Sequence, residues 1–435
     1  MKPGGAGTEF ERRPADWIGV RDAQERILSH ARTRPPEDVP AHEALGRVLA
    51  APLVAGATLP PWDNSAMDGY AVRADDVRPA SLDAPVGLRV VGRAYAGDAA
   101  PSPLGAGEAI RIMTGAPLPP GADAVVRVED TDAEAERPGR VNVAAAVDAG
   151  RYVRPAGQDF HVGDEVLGGG RVVTPGVIAL GAALGLGRLS VHARPAVSLL
   201  ATGDELRAVD RYEDVAAGTG IPESNTPMLS AIIAEAGGVV GRVAIARDDP
   251  ADLEAHIEAS APADLLVTIG GASMGEADLV KRVLDRMGFE QEFWRVRMRP
   301  GSPFSFGHLS RGERRQPVFG LPGNPASAFV TFELFVRPFL RRLAGHAACF
   351  RPTERLIAGE ELRGPTDLAA YLRVRIDRDT EPGTVRLTGP QGSGLVRGLA
   401  FADGLAVLPE GLGSIREGDP VDVLLLQGNR DRGAP

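Results

Sequence analysis

The chain has 435 residues, 43% of them hydrophobic, a net charge of −10 and one cysteine, Cys349. That length predicts several domains rather than one core, and the acidic balance argues against a nucleic-acid binder. One cysteine excludes an intrachain disulfide, and no stretch has the uninterrupted apolarity of a signal core or membrane span, so a soluble, cytoplasmic protein is expected.

Lysine occurs only at Lys2 and Lys281, so arginine supplies the positive charge throughout. The N-terminal residues 16–32 carry Ala23, Ile27 and Leu28 at helical spacing, with Asp16 as a cap and Pro35 and Pro36 as a stop. A second helix is expected over 41–50. From about residue 53 to 154, short β-branched runs alternate with Gly, Pro and Asp, which predicts an all-β region. Thr174-Pro175 then opens a helix.

From Pro195 onward, nearly continuous apolar strands alternate with helices: strands at 196–201, 239–246, 264–269 and 317–320, and helices at 226–236, 250–260, 276–287 and 326–343. Such a pattern predicts a mostly parallel, doubly wound sheet covered on both faces. Beyond about residue 345 the texture is β again, and a small barrel or sandwich is expected.

In an open parallel sheet, ligands collect beyond the carboxyl ends of the strands. Three loops are expected there: 201–206 (ATGDEL), 268–278 (TIGGASMGEAD) and 320–327 (GLPGNPAS). Glycines let backbone amides approach an anion, and a helix start adds positive potential. The second loop is neither a Walker loop nor a dinucleotide fingerprint. Gly323 can take a positive backbone angle, Pro325 presets the helix start, and Ser327 lies in its first turn. Asp204, Glu205, Asp248, Asp249, Glu276 and Asp278 all lie in or near loops of this region. Carboxylates beside a phosphate-type site suggest Mg²⁺, although adjacent acids such as Asp248-Asp249 also cap helices.

In 294–302 (WRVRMRPGS), alternation along a strand would set Arg295, Arg297 and Arg299 on one face, to meet an oxyanion or phosphate. Two polar loops lie far away, 61–72 (PWDNSAMDGYAV) and 111–115 (RIMTG). The residues alone give them no chemistry beyond a turn, unless they complete a second subunit's site.

Together these segments resemble the molybdopterin molybdenumtransferase family, which includes MoeA and the E domain of gephyrin. The resemblance spans about residues 15–428. It rests on DNSAMDGYAV (63–72), RIMTGAPLPPGADAVV (111–126), ATGDEL, GGASMGEAD (270–278), RPGSPFSFG (299–307), LPGNPASA (321–328) and GLAVLPEG (404–411), in that order.

The resemblance implies four domains: an elongated connecting domain (15–52 and 153–192), an inserted β domain (53–152), a molybdopterin-binding α/β domain (193–345) and a C-terminal β-barrel (346–430). It implies a homodimer whose active site is shared between subunits, with Asp68 and Thr114 reaching the partner's site. Asp204, Glu205, Asp249 and Asp278 would join them in catalysis. Glu205, Asp249 and Asp159 would hold the metal. The adenylylated pterin would be bound by Gly270, Gly271, Ser273, Gly275, Glu276, Arg295, Arg299, Pro322, Gly323, Asn324, Ser327, Arg373 and Ser393.

The implied reaction takes molybdate and adenylylated molybdopterin, uses Mg²⁺ and releases AMP, with a molybdopterin adenylyltransferase as substrate donor. A non-catalytic scaffold, and a paralogue for tungstate or pterin adenylylation, are the alternatives. The chain departs from the family at several positions, among them the glycine loop, which reads Ala-Ser-Met where Val-Ser-Val is usual. Arg295 and Arg299 stand for lysines, Ser302 replaces a third lysine, and Gln158 replaces the glutamate of a Gly-Glu-Asp triplet.

Overall fold

The computed structural model describes residues 17–99, 101–271, 279–379 and 381–426. The first helix, α1 (Val20–Ser29), starts after Gly19 and buries Ala23 and Ile27. The helix expected over 41–50 is replaced by a single 3₁₀ turn, Ala41–Glu43. Gly46 has φ 77°, and the backbone beyond it bonds across the chain: Gly46 N to Val173 O, Ala50 N to Ser190 O. Those amides are therefore committed to pairing rather than to a helical ladder.

The inserted β region forms a five-stranded sheet of β1 (Gly69–Val72), β2 (Val86–Ala94), β3 (Glu108–Ile112), β4 (Ala124–Arg127) and β5 (Arg140–Val143). Its order is β4-β1-β3-β2-β5, and only β2 and β3 run parallel. Tyr70, Val72, Leu88, Val126 and Val141 build a core of its own.

Helix α2 (Pro175–Ala183) is capped by Thr174 and leads to the central sheet. That sheet contains β6 (Ala196–Thr202), β7 (Val239–Ala246), β8 (Leu265–Ile269), β9 (Phe289–Trp294), β10 (Ser305–Arg311) and β11 (Arg314–Leu321), in the order β7-β6-β8-β11-β10-β9. Strands β7, β6, β8 and β11 are parallel, and β10 and β9 add an antiparallel edge.

The two-residue period of a strand explains why these runs read as continuously apolar. Val197, Leu199, Leu265, Val267 and Ile269 face one side, where α1, α3 (Asn225–Glu235) and the last helices pack. Leu200 and Leu266 face the other, under α4 (Pro250–Glu258) and α5 (Leu279–Arg286). On the first side Phe304 stacks on Phe335 at 4.5 Å between centroids, and Phe319 meets Phe306 at 4.9 Å and Phe339 at 5.3 Å.

The expected helix over 326–343 is continuous but not uniform. Helix α6 (Pro325–Thr331) passes through a π-helical turn, Phe332–Val336, into α7 (Arg337–Leu343). The turn presents the buried Glu333 to Arg351, which donates two 2.9 Å bonds to it and also grips Glu235. Burial alone would lower the Arg351 pKa, but the carboxylates that accept its bonds outweigh this and the net shift is upward.

Beyond it, β12 (Thr353–Ala358), β13 (Ala369–Asp377), β14 (Thr384–Leu387), β15 (Gly404–Leu408) and β16 (Pro420–Leu425) close into a barrel through the β13–β15 pairing. The barrel expected from the sequence is thus present. Among the described residues no helix is long and apolar enough to cross a membrane.

Removing Arg351 leaves Glu333 buried beside only a 3.7 Å contact to Arg337. Arg351→Ala is therefore expected to destabilise this region by about 3 kcal/mol, because breaking a buried pair strands a charge. A thermal melt matching that of the unaltered protein would contradict the role given to this cluster.

Candidate functional site

Parallel register fixes where the three candidate loops emerge. Ala201 lies opposite Ile269, and Ile269 opposite Leu321, so β6, β8 and β11 end at one level. A cavity of about 710 Å³ opens at this edge. Thr202, Glu205, Gly270, Gly271, Pro322, Gly323 and Asn324 line it, so all three loops contribute.

The approach of the loops demands glycine at 270. Gly270 has φ 96°, and a Cβ there would sit 2.9 Å from Thr202 O. Gly271 is also left-handed, at φ 65°. Gly323 does not use the positive angle open to it. It packs against the Gly270 backbone, where even an added Cβ would stand in ordinary contact, 3.5 Å from Gly270 Cα. Gly270 N donates to Leu321 O at 3.0 Å and holds the two turns together.

The acids divide by role. Glu205 lines the cavity. Its neighbour Asp204 accepts from Asp248 N at 3.2 Å and returns its own N–H to Asp248 at 3.5 Å, which ties the first loop to the one after β7. Asp249 caps α4: its Oδ1 accepts from Ala251 N at 3.0 Å and Asp252 N at 2.9 Å. Asp159 is exposed and lies among the residues beside the inserted sheet, where its N–H bonds Leu59 O. Ser273, Gly275, Glu276 and Asp278 lie outside the described residues.

The arginine expectation needs correction. Strand β9 ends at Trp294, and Arg295 has φ 70°, so the alternation that would align Arg295, Arg297 and Arg299 is broken. Arg295 is buried, with its guanidinium 4.3 Å from the Trp294 ring centroid and 4.8 Å from that of Trp17. Arg297 pairs with Glu410 at 3.0 Å. Arg299 is exposed on a two-residue strand beside the barrel. Ser302, which stands for a lysine, donates its hydroxyl to Met298 O within its own turn. Among the described residues no arginine or lysine lines the cavity.

Ser327 and Arg373 are buried behind the cavity wall. Ser327 O accepts from Thr331 Oγ1 at 2.8 Å. Arg373 donates to Pro390 O and Gly392 O, both at 3.1 Å, and so props the 389–394 loop. Ser393 on that loop accepts from Asn324 Nδ2 at 3.1 Å, and Gly394 reaches the cavity.

Sequence reasoning missed Glu223 and Asn225, which also line the cavity. Glu223 accepts from Asn225 N and Thr226 N, both at 2.9 Å, and starts α3. Asn225 Nδ2 donates to Gly323 O at 2.7 Å, while its Oδ1 is buried without a protein partner. The signal lay in the polar ESN triplet just ahead of the helix expected from residue 226.

Asp68 and Thr114, 46 residues apart, do meet. One oxygen of Asp68 accepts from both Thr114 N and Thr114 Oγ1 at 2.7 Å. These bonds hold the Asp68 carboxyl below the usual carboxylate range. Neither residue lines the cavity of its own chain.

Comparisons with known proteins agree along the chain. Residues 18–185 match the "MoeA N-terminal region (domain I and II)", residues 198–342 a "Probable molybdopterin binding domain", and residues 355–426 the "MoeA C-terminal region (domain IV)". The chain is 38% identical over 417 residues to molybdopterin molybdenumtransferase 2 of Mycobacterium tuberculosis, covering 93% of this chain and 98% of that one. It is 36% identical over 392 residues to a molybdopterin molybdenumtransferase of Synechococcus elongatus, covering 89% and 94%. The crystal structure of a molybdopterin biosynthesis MoeA protein from Pyrococcus horikoshii superposes with a TM-score of 0.79 at 31% identity, over 95% of this chain and all of that one. The sheet-rim cavity, the three loops and the flanking β units thus sit in a chain that belongs to the molybdopterin molybdenumtransferase (MoeA) family.

Proposed function

We propose that this chain inserts molybdenum from molybdate into adenylylated molybdopterin and releases AMP. The observation that carries this reading is the convergence of three loops on one 710 Å³ cavity, where glycine amides and carboxylates meet without a basic side chain among the described lining residues. The phosphates are held by the backbone at Gly271 and Gly323 and by the start of the helical run at Pro325, while Gly270, whose N–H is committed to Leu321 O, shapes the loop. Asn225 Oδ1, buried and unpartnered, accepts a hydrogen bond from an N–H of the bound substrate.

The donor set fits Mg²⁺, which takes hard oxygens and commonly binds through one or two carboxylates plus substrate phosphates. Glu205 would hold it, with Asp204 and Asp248 alongside. When bound, Mg²⁺ offsets the charge of phosphate and molybdate oxygens brought close together. This chain's own residues fix the orientation of the pterin phosphate against the adenylate and exclude bulk water from the rim. The supplier of the adenylylated pterin is a molybdopterin adenylyltransferase.

Asp68 and Thr114 lie outside their own chain's cavity, which supports a homodimer in which this pair completes the partner's site. Cytoplasmic location follows from the substrates proposed. Retention of Glu205 and of the paired Asp204 and Asp248 favours an enzyme over a scaffold.

Glu205→Gln should lower molybdate-dependent AMP release about 100-fold with no change in thermal melt, and full activity in this variant would refute the role assigned to the carboxylate. Equal AMP release with tungstate as sole oxyanion would redirect the substrate assignment.

A mixture of Asp68→Asn and Glu205→Gln chains, allowed to exchange subunits, should recover about a quarter of wild-type activity. Half the dimers are then mixed, and each mixed dimer holds one intact site. No recovery despite measured exchange would mean that the site is not shared.

Both Thr114 bonds go to Oδ1 and favour the ionised form of Asp68, so their added strength is complete above its ordinary value of 3.8 and is lost as pH falls through the depressed value. The rate profile at neutral pH should therefore have no acid limb assignable to Asp68. An inflection between about pH 5 and 7 that Asp68→Asn removes would show that its carboxyl titrates higher.

A further inference from the structure

Away from the cavity, three potential ligands from three elements converge on the antiparallel edge of the central sheet. His30 caps the carboxyl end of α1, Glu292 lies on β9 and His308 on β10. His30 Nε2 lies 3.4 Å and His308 Nδ1 3.8 Å from the same carboxylate oxygen, Glu292 Oε1. The ligand atoms of all three lie within 4.8 Å of one another.

The local backbone arranges this meeting. His308 shares a sheet face with Phe306, two residues before it, and α1 packs on that face. Glu292 sits at a register shift between Gln291 and Phe293, where a bulge re-aims a side chain. Phe306 walls one side, with its ring 5.7 Å from His30 and 5.2 Å from His308.

The His308 side chain is only 4% exposed, yet its Nδ1 has no hydrogen-bond partner. Burial, then the charges of His30 and Arg315, push His308 down to about 4 against the pull of Glu292 and Glu290.

We propose that His30, Glu292 and His308 form a binding site for a divalent transition metal of the zinc type, which pins α1 to the sheet edge. Tetrahedral coordination at bonds of about 2.1 Å places ligand atoms about 3.4 Å apart. The observed separations need only small side-chain movements to reach that geometry. Two imidazoles and one carboxylate suit zinc, cobalt or nickel and leave a position for water, whereas the all-oxygen set near Glu205 suits magnesium. The site is distinct from the cavity: His308 is in register with Pro317, four residues before the Leu321 end of β11 that borders it.

The test uses chelator-treated, full-length dimer or monomer as it occurs in solution. Zn²⁺ titrated by calorimetry should bind one equivalent per chain at micromolar or lower concentration and raise the melting temperature. Co²⁺ should give the intense visible bands of a tetrahedral site. His308→Gln and, at the half-exposed helix end, His30→Gln should each weaken Zn²⁺ at least tenfold and abolish the Co²⁺ bands. His30→Gln should leave magnesium-supported AMP release unchanged. Absence of stoichiometric Zn²⁺ binding, or equal binding by a folded His30→Gln variant, would overturn the proposal and leave a simple His30–Glu292 ion pair.

Discussion

The common carboxyl edge of β6, β8 and β11 is the constraint on which the site depends. Parallel pairing ends these strands at one level, so the loops that follow must share one rim. Gly270 then sets how closely they approach, because any Cβ would collide with the Thr202 carbonyl. Asn225 links the next helix to the Gly323 carbonyl, and the reciprocal bonds of Asp204 and Asp248 link the loops after β6 and β7. The cavity is therefore a property of sheet register, reinforced by a few loop-to-loop bonds, rather than of any one motif.

Charge is distributed differently from a simple arginine cradle. The described cavity lining carries Glu205 and Glu223 and no basic side chain. Arginines act around it as structural members: Arg295 between two indoles, Arg297 on Glu410, Arg373 under the 389–394 loop. Each satisfies buried or half-buried acceptors or aromatic faces that would otherwise lack partners. On the proposed function, an anionic substrate in such a cavity would lean on backbone amides and on a cation recruited by carboxylates, which would give the acids near the rim a physical purpose.

The opposite, antiparallel edge of the same sheet carries unrelated polar chemistry. Its histidines and Glu292 join the N-terminal helix to the edge strands, while the Glu333–Arg351–Glu235 cluster joins the π-helical turn to the chain entering the barrel. Both clusters bridge segments far apart in sequence, so each can restrain the position of one unit against another.

Much was legible in the sequence. Nearly continuous apolar runs, broken by Gly and Pro and spaced by helices, identified the parallel sheet and its rim loops, and the ordered motifs identified the family. Local signals failed where long-range bonds decided the outcome. The 41–50 segment has helical composition, but its amides pair with residues 173 and 190. Arg295, Arg297 and Arg299 alternate in sequence, but a left-handed residue at 295 sends them to three environments. Asn225, just ahead of the helix expected from residue 226, carries no local signal of a site and becomes a wall of the cavity. Sequence determined which residues could form strands, turns and anion-binding loops, because those preferences are set by each residue and its near neighbours. Which polar side chains face the cavity, and which merely hold its walls, was decided only by tertiary structure, because hydrogen-bond partners hundreds of residues apart meet only once the sheet has formed.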